Sequence, residues 1–67
     1  MISCTLNGVL TPIEDPGNLS GLLVRLGIRP TGVIIEHNGT LFKEPDFPQQ
    51  QVQDGDVIEI IHFMGGG

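Results

Sequence analysis

The first apolar stretches of the chain flank an Asn-Gly pair, in "ISCTLNGVLTPI". Asn-Gly supplies the two positive-φ residues of a type I′ turn, so the pattern predicts a β-hairpin with Asn7 and Gly8 at its tip. A two-residue loop places Ile2 opposite Ile13, Cys4 opposite Thr11 and Leu6 opposite Val9. Five of these six side chains are apolar, so they are predicted to line the core face. Pro12 lacks a backbone donor, which suits an edge strand or a strand end.

A short amphipathic helix is predicted after the loop "EDPGN". Its leucines recur at helical spacing and form one apolar stripe: Leu19, Leu22, Leu23 and Leu26. Asn18 is a good N-cap, Gly27 follows the last leucine, and Pro30 prevents the helix from resuming. A helix of this length is unstable alone in water, so it is expected to pack on the sheet.

The second half of the chain predicts further strands separated by turns. "GVIIEHNG" is a strand that ends at Asn38-Gly39, and Thr40 to Phe42 are predicted to form a short strand. The segment with Pro45 and Pro48 is predicted to be irregular. After the turn "DGD", the last strand "VIEII" places Ile58 and Ile60 on one face and Val57, Glu59 and Ile61 on the other.

This element order predicts an α+β fold with one helix. The helix connects the second strand to the third, so the first and last strands are expected at the centre of a mixed sheet of four to five strands. The helix covers only one face of that sheet. Four side chains are therefore expected on the uncovered face, as a partner interface: Ile34, Val57, Ile61 and Phe63.

Length and composition are those of one small globular domain. The chain has 67 residues, of which 39% are apolar and 16% charged, too apolar for a disordered segment. Cys4 is the only cysteine and is predicted to be an unreactive core residue. The chain lacks an apolar run of the ~20 residues that span a bilayer, and its N-terminus does not resemble a signal peptide. The expected location is the cytoplasm.

The net charge of −5 favours a basic protein partner. The three basic residues are scattered and Trp and Tyr are absent, which argues against nucleic acid and anionic membranes as partners. His37 and His62 are predicted to be packed or exposed and not to bind metal. The acidic residues Glu36, Asp54, Asp56 and Glu59 are predicted to form a solvated face, with docking to a basic rim as the open alternative.

The chain ends with Phe63, Met64 and three glycines, Gly65, Gly66 and Gly67. Residues 1–64 are predicted to form the domain and residues 65–67 a flexible tail. Glycine lacks Cβ, so such a tail can enter a narrow tunnel and present an unhindered acyl carbon at Gly67. Phe63 and Met64 would anchor its root in a partner, or Phe63 would fold over the core edge. The alternative is that these residues are a disordered chain end that has no function.

Several stretches resemble the ThiS-like sulfur carriers of thiamine biosynthesis, a branch of the ubiquitin-like β-grasp proteins related to molybdopterin-synthase small subunits. They are "ISCTLNG", "LSGLLVRLGI", "GVIIEHNG", "DGDVIEI" and the terminal "GG". His37 and the third glycine depart from the family pattern, since the family usually has an apolar residue and two glycines there.

The resemblance implies a carrier and not an enzyme, with no bound cofactor. An E1-like partner would adenylate Gly67 with ATP, a cysteine desulfurase relay would supply sulfur to form a thiocarboxylate, and thiazole synthase would accept it. The alternatives are a carrier for molybdopterin or another product, a ubiquitin-like modifier, and a binding module whose glycines are incidental.

Overall fold

The computed structural model describes residues 1–63. Its elements are β1 (Ile2–Leu6), β2 (Val9–Ile13), α1 (Leu19–Leu26), β3 (Val33–His37), β4 (Thr40–Lys43), a 3₁₀ helix (Glu44–Gln49) and β5 (Val57–His62). The strands form one sheet in the order β2-β1-β5-β3-β4. β1 and β5 run parallel, and the other neighbours are antiparallel. The predicted mixed sheet with β1 and β5 at its centre, the β-grasp arrangement, is confirmed.

The first hairpin has the predicted register, with Cys4 opposite Thr11. Asn7 and Gly8 both have positive φ, of 48° and 84°. Pro12 lies on β2, an edge strand, where its missing donor breaks no ladder hydrogen bond. Val9 departs from the prediction, because it lies at the tip of this edge strand and is 63% exposed.

Helix α1 begins and ends at the predicted residues. The Asn18 side chain accepts a hydrogen bond from the Gly21 amide at 2.8 Å, and Gly27 ends the helix in the left-handed conformation. The leucines of α1 pack with the sheet in one core. Its buried members are Cys4, Ile13, Leu19, Leu22, Leu23, Val33, Ile35, Phe47, Val52 and Ile58.

The segment after β4 was predicted to be irregular, which is wrong. Residues Glu44–Gln49 form a 3₁₀ helix, with Pro45 in its first turn, where a missing N–H costs nothing. Phe47 is fully buried and is the largest such side chain in the core. The Leu19 amide donates to the Gln50 carbonyl at 2.9 Å, so this segment is joined to the start of α1. Burial of one aromatic ring therefore orders a stretch whose local pattern favours a loop.

Candidate functional site at the end of the central strand

Strand β5 lies at the centre of the sheet and leads directly to Phe63, the last described residue before the predicted tail. Its two faces differ as predicted. Ile58 is fully buried and Ile60 is partly buried against the core. On the other side Val57 and Ile61 are 53% and 43% exposed. Met64, Gly65, Gly66 and Gly67, and with them the division into domain and tail, lie outside the described residues.

Both Asn-Gly turns hold β5 through the asparagine side chain. The Asn7 carboxamide oxygen accepts from the Ile60 amide at 2.7 Å, and its nitrogen donates to the Ile60 carbonyl at 3.3 Å. The Asn38 oxygen accepts from the Val57 amide at 2.8 Å, while the Asn38 backbone amide donates to the Val57 carbonyl. Each side chain thus continues the ladder beyond its own strand. Asn38 thus holds the start of β5 from one neighbouring strand, and Asn7 holds its second half from the other.

Sequence reasoning assigned these two asparagines to turns alone. One feature of the sequence could have indicated this second role. Both hairpins have Asn at the first turn position, where Asp or Gly would also form the turn. Of these three residues, only Asn has a side chain that can both accept from an amide and donate to a carbonyl, as Asn7 does at Ile60. The partners on β5 lie far away in the sequence, so the chain itself does not identify them.

Asp56 lies just before β5 and is the hub of a hydrogen-bond network. Its carboxylate binds His37 Nε2 at 2.7 Å and accepts from the Gln53 amide at 2.9 Å and from Asn38 Nδ2 at 3.1 Å. Burial alone would raise the pKa of Asp56, but the hydrogen bonds from His37, Gln53 and Asn38 outweigh it and lower that pKa. The prediction that Asp56 is a solvated acid is therefore wrong. His37 is a packed, hydrogen-bonded residue, as predicted.

The turn before β5 is also attached to β1. Asp54 is exposed, and its carboxylate accepts from the Ser3 amide at 2.7 Å, while the Gly55 amide donates to the Ser3 carbonyl at 2.8 Å. Cys4 is fully buried beside this turn, and burial raises the pKa of its thiol. A thiol that is both buried and protonated is a poor nucleophile, so Cys4 belongs to the core, as predicted.

The sheet side away from α1 is called the open face below, and it carries Ile34, Glu36, Leu41, Lys43, Val57, Glu59 and Ile61. Ile34 is opposite Ile61 across β3 and β5. The Phe63 amide donates to the Gly32 carbonyl at 2.8 Å, so pairing continues one residue beyond β5. Strand alternation places Phe63 on the same side as Ile61. Its side chain is 63% exposed and does not cover the core edge.

Two observations on residues 1–63 concern metal and ligand binding. This part of the chain contains no group of three His, Cys, Asp or Glu residues that could hold a metal ion. A shallow groove of about 380 Å³ opens between the end of α1 and the sheet. Its lining is largely apolar: Leu6, Asn7, Thr11, Leu26, Ile28, Ile60 and His62. Among the helices in residues 1–63, none has the length and apolar character to cross a membrane.

Comparisons with known proteins agree with this geometry. The sequence profile of the ThiS family matches residues 4–67. The sulfur carrier protein ThiS of Bacillus subtilis is 35% identical over 54 residues, which are 81% of this chain and 82% of that protein. The crystal structure of the thiamine biosynthesis protein ThiS from Geobacter metallireducens superposes with a TM-score of 0.82, at 32% identity, and covers 98% of this chain and 100% of that one.

A longer relative carries the same domain. A thiazole synthase of Magnetococcus marinus is 37% identical over 62 residues, which are 92% of this chain but only 19% of that protein. This chain thus spans about a fifth of that thiazole synthase. The profile match over nearly the whole chain and the agreement in fold lead to one conclusion: the chain belongs to the ThiS family of sulfur carrier proteins.

Proposed function

We propose that this protein carries sulfur for thiamine thiazole synthesis on the carboxylate of Gly67. The observation that carries the proposal is the ThiS profile match, which extends to Gly67 itself. The geometry of β5 supports it. Asn7 and Asn38 hold the central strand β5, which leads to Phe63 at the end of the sheet. The segment that follows therefore starts from a defined position, where an enzyme can bind it.

The chemistry begins with adenylation by an ATP-dependent, E1-like enzyme. A carboxylate oxygen of Gly67 attacks the α-phosphorus of ATP and pyrophosphate leaves, which gives an acyl-adenylate. A persulfide from a cysteine desulfurase relay then displaces AMP. A thiol reductant cleaves the resulting S–S bond and leaves a thiocarboxylate, which thiazole synthase accepts as its sulfur source. The carrier is a co-substrate in this cycle and contributes no catalytic group and no bound cofactor.

The residues of the chain itself bind the activating enzyme and position the C-terminus in its active site. The exposed apolar side chains Ile34, Val57, Ile61 and Phe63, with Met64, form the surface that the activating enzyme recognises. Gly65 and Gly66 thread the terminus into its active site, since residues without side chains pass a narrow channel most easily. Burial keeps the Cys4 thiol out of the sulfur exchange. We place this cycle in the cytoplasm, which supplies both ATP and reduced thiols.

The thiazole synthase match favours thiamine over molybdopterin as the destination of the sulfur. A domain similar to 92% of this chain occurs within a thiazole synthase polypeptide. Domains that are joined in one protein and separate in another commonly work together, so thiazole synthase is the proposed acceptor.

The test is the intact mass of the protein after incubation with ATP, its adenylating enzyme, a cysteine desulfurase, cysteine and a thiol reductant. The expected change is the replacement of one oxygen by one sulfur. Cys4→Ser serves as the matched control and should gain the same mass, because Cys4 takes no part. An unchanged mass, with enzymes that convert an authentic ThiS in the same mixture, would refute the proposal.

A further inference from the structure

Two glutamates face each other at the centre of the open face. Glu36 and Glu59 are direct partners across the antiparallel strands β3 and β5. The next pair on the same face is Ile34 with Ile61, and Leu41 is opposite Glu36 on β4. Like charges at directly opposite positions destabilise a sheet. The fold therefore carries an unfavourable pair near the middle of the sheet, beside the apolar side chains of Ile34, Leu41 and Ile61.

Most of the other acids in residues 1–63 have a side-chain partner, although Glu44 and Asp46 do not. Asp56 binds His37, Glu14 lies 3.3 Å from Arg25, and Asp15 accepts from the Gly17 amide at 2.9 Å. Among residues 1–63, neither Glu36 nor Glu59 forms an ion pair or a side-chain hydrogen bond. Lys43, the one cation on the open face, is opposite Ile34, one pair further along. The two carboxylates can thus receive a cation from another molecule.

The position of the pair relative to the tail indicates which molecule this is. Glu59 and Phe63 are four residues apart on an extended chain, about 13 Å. The segment from Met64 to Gly67 extends at most about 14 Å beyond Phe63. An enzyme that holds the Gly67 carboxylate in a recessed site must therefore touch the end of the sheet around Phe63. The open face continues from that end through Ile61 to the glutamates.

From this juxtaposition we propose that the adenylating enzyme docks on the open face and places an arginine between Glu36 and Glu59. This inference rests on the proposed function. The planar guanidinium offers several donors and can bind two carboxylates at once, while its aliphatic stem packs on apolar neighbours such as Ile61. An enzyme that binds the phosphates of ATP concentrates cationic side chains near its active site. The net charge of −5 on the carrier complements such a surface.

The test is the affinity of the purified chain for its adenylating enzyme, measured by calorimetry at two salt concentrations. Glu36→Gln/Glu59→Gln should weaken binding about 10- to 100-fold and reduce its salt dependence, because the enzyme's arginine loses both partners. Glu14→Gln/Glu44→Gln removes the same two charges outside the five strands and should change affinity by less than about threefold.

The melting temperature of the same variant distinguishes a binding role from a structural role. If the two glutamates stabilised the fold, their replacement would lower the melting temperature. Relief of repulsion should leave the melting temperature of Glu36→Gln/Glu59→Gln at or above that of the wild type. Equal affinities of the two double variants, or a clearly lowered melting temperature, would overturn the inference. The intact-mass assay separates the two proposals. A wild type that gains no sulfur refutes the proposed function, whereas a Glu36→Gln/Glu59→Gln variant that gains sulfur with an unchanged KM refutes only the arginine contact.

Discussion

The two faces of the sheet carry similar apolar residues in different environments. On the helix face Ile35 and Ile58 are fully buried under α1. On the open face Ile61 and Val57, from the same strand as Ile58, remain exposed. The first set stabilises the fold by removing apolar surface from water, and the second leaves apolar surface available for another protein. The proposed recognition surface thus lies on side chains that are outside the buried core.

The largest effect is expected when this difference is tested on one strand. Ile58→Ala should lower the free energy of unfolding by about 2–5 kcal/mol, because it leaves a cavity in the core. Ile61→Ala is the matched control on the open face and should change it by less than about 1 kcal/mol. Urea denaturation followed by circular dichroism measures both. Equal losses for the two variants would show that the faces do not differ in this way.

The next effect is expected at the start of β5. Asp56→Asn should cost about 1–3 kcal/mol, because the pair with His37 and the full acceptor capacity of the carboxylate are lost. The matched control is Asp54→Asn, whose amide oxygen still accepts from the exposed Ser3 amide and should cost less. Urea denaturation at neutral pH measures the difference.

The pH dependence of the free energy of unfolding should show the contribution of the same Asp56 hydrogen bonds in the wild-type protein. The folded-state pKa of Asp56 lies below its usual value of 3.8. Its contribution to stability is therefore complete well above pH 3.8 and is lost as the pH falls through that value toward the folded-state pKa. The slope of unfolding free energy against pH should be smaller in Asp56→Asn over this window. Identical slopes would mean that other carboxylates account for the acid sensitivity.

A smaller effect is expected at the asparagine that holds Ile60. Asn7→Asp keeps the turn and the acceptor for the Ile60 amide, but it replaces the donor by an oxygen facing the Ile60 carbonyl. The expected loss is about 0.5–1.5 kcal/mol by urea denaturation. Gly8→Asn, also at the turn but without a side-chain bond to β5, separates turn strain from the lost hydrogen bond. An unchanged free energy of unfolding in Asn7→Asp would show that the side-chain donor adds nothing to the stability of β5.

The smallest effect on folding is expected from the tail. Deletion of Gly66 and Gly67 should leave the melting temperature nearly unchanged, because glycine has no side chain to bury in a core. The same deletion should abolish sulfur loading in the intact-mass assay. A large drop in melting temperature would instead assign the tail to the fold. This outcome would remove the separation between a stabilising body and a reactive end.

Local patterns were sufficient to predict most of the fold. The Asn-Gly turn fixed the register of β1 and β2, and Asn18 and Gly27 marked the ends of α1, because these features depend on neighbouring residues alone. The family resemblance was confirmed by the ThiS profile. Phe47 was missed, since a segment between two prolines resembles a loop until its ring is seen to fill the core.

What the sequence alone determined was the five strands and α1, the two faces of β5 and the glycine ending, all of which follow from spacing along the chain. Which acids are solvated was decided only by the tertiary structure. Asp56 and Glu59 are equally acidic in sequence, yet one is the centre of a network and the other faces a second carboxylate. The physical reason is that their partners are brought near by strand pairing and not by chain proximity. Burial and hydrogen bonding act between spatial neighbours, and strand pairing in the sheet determines which residues those neighbours are.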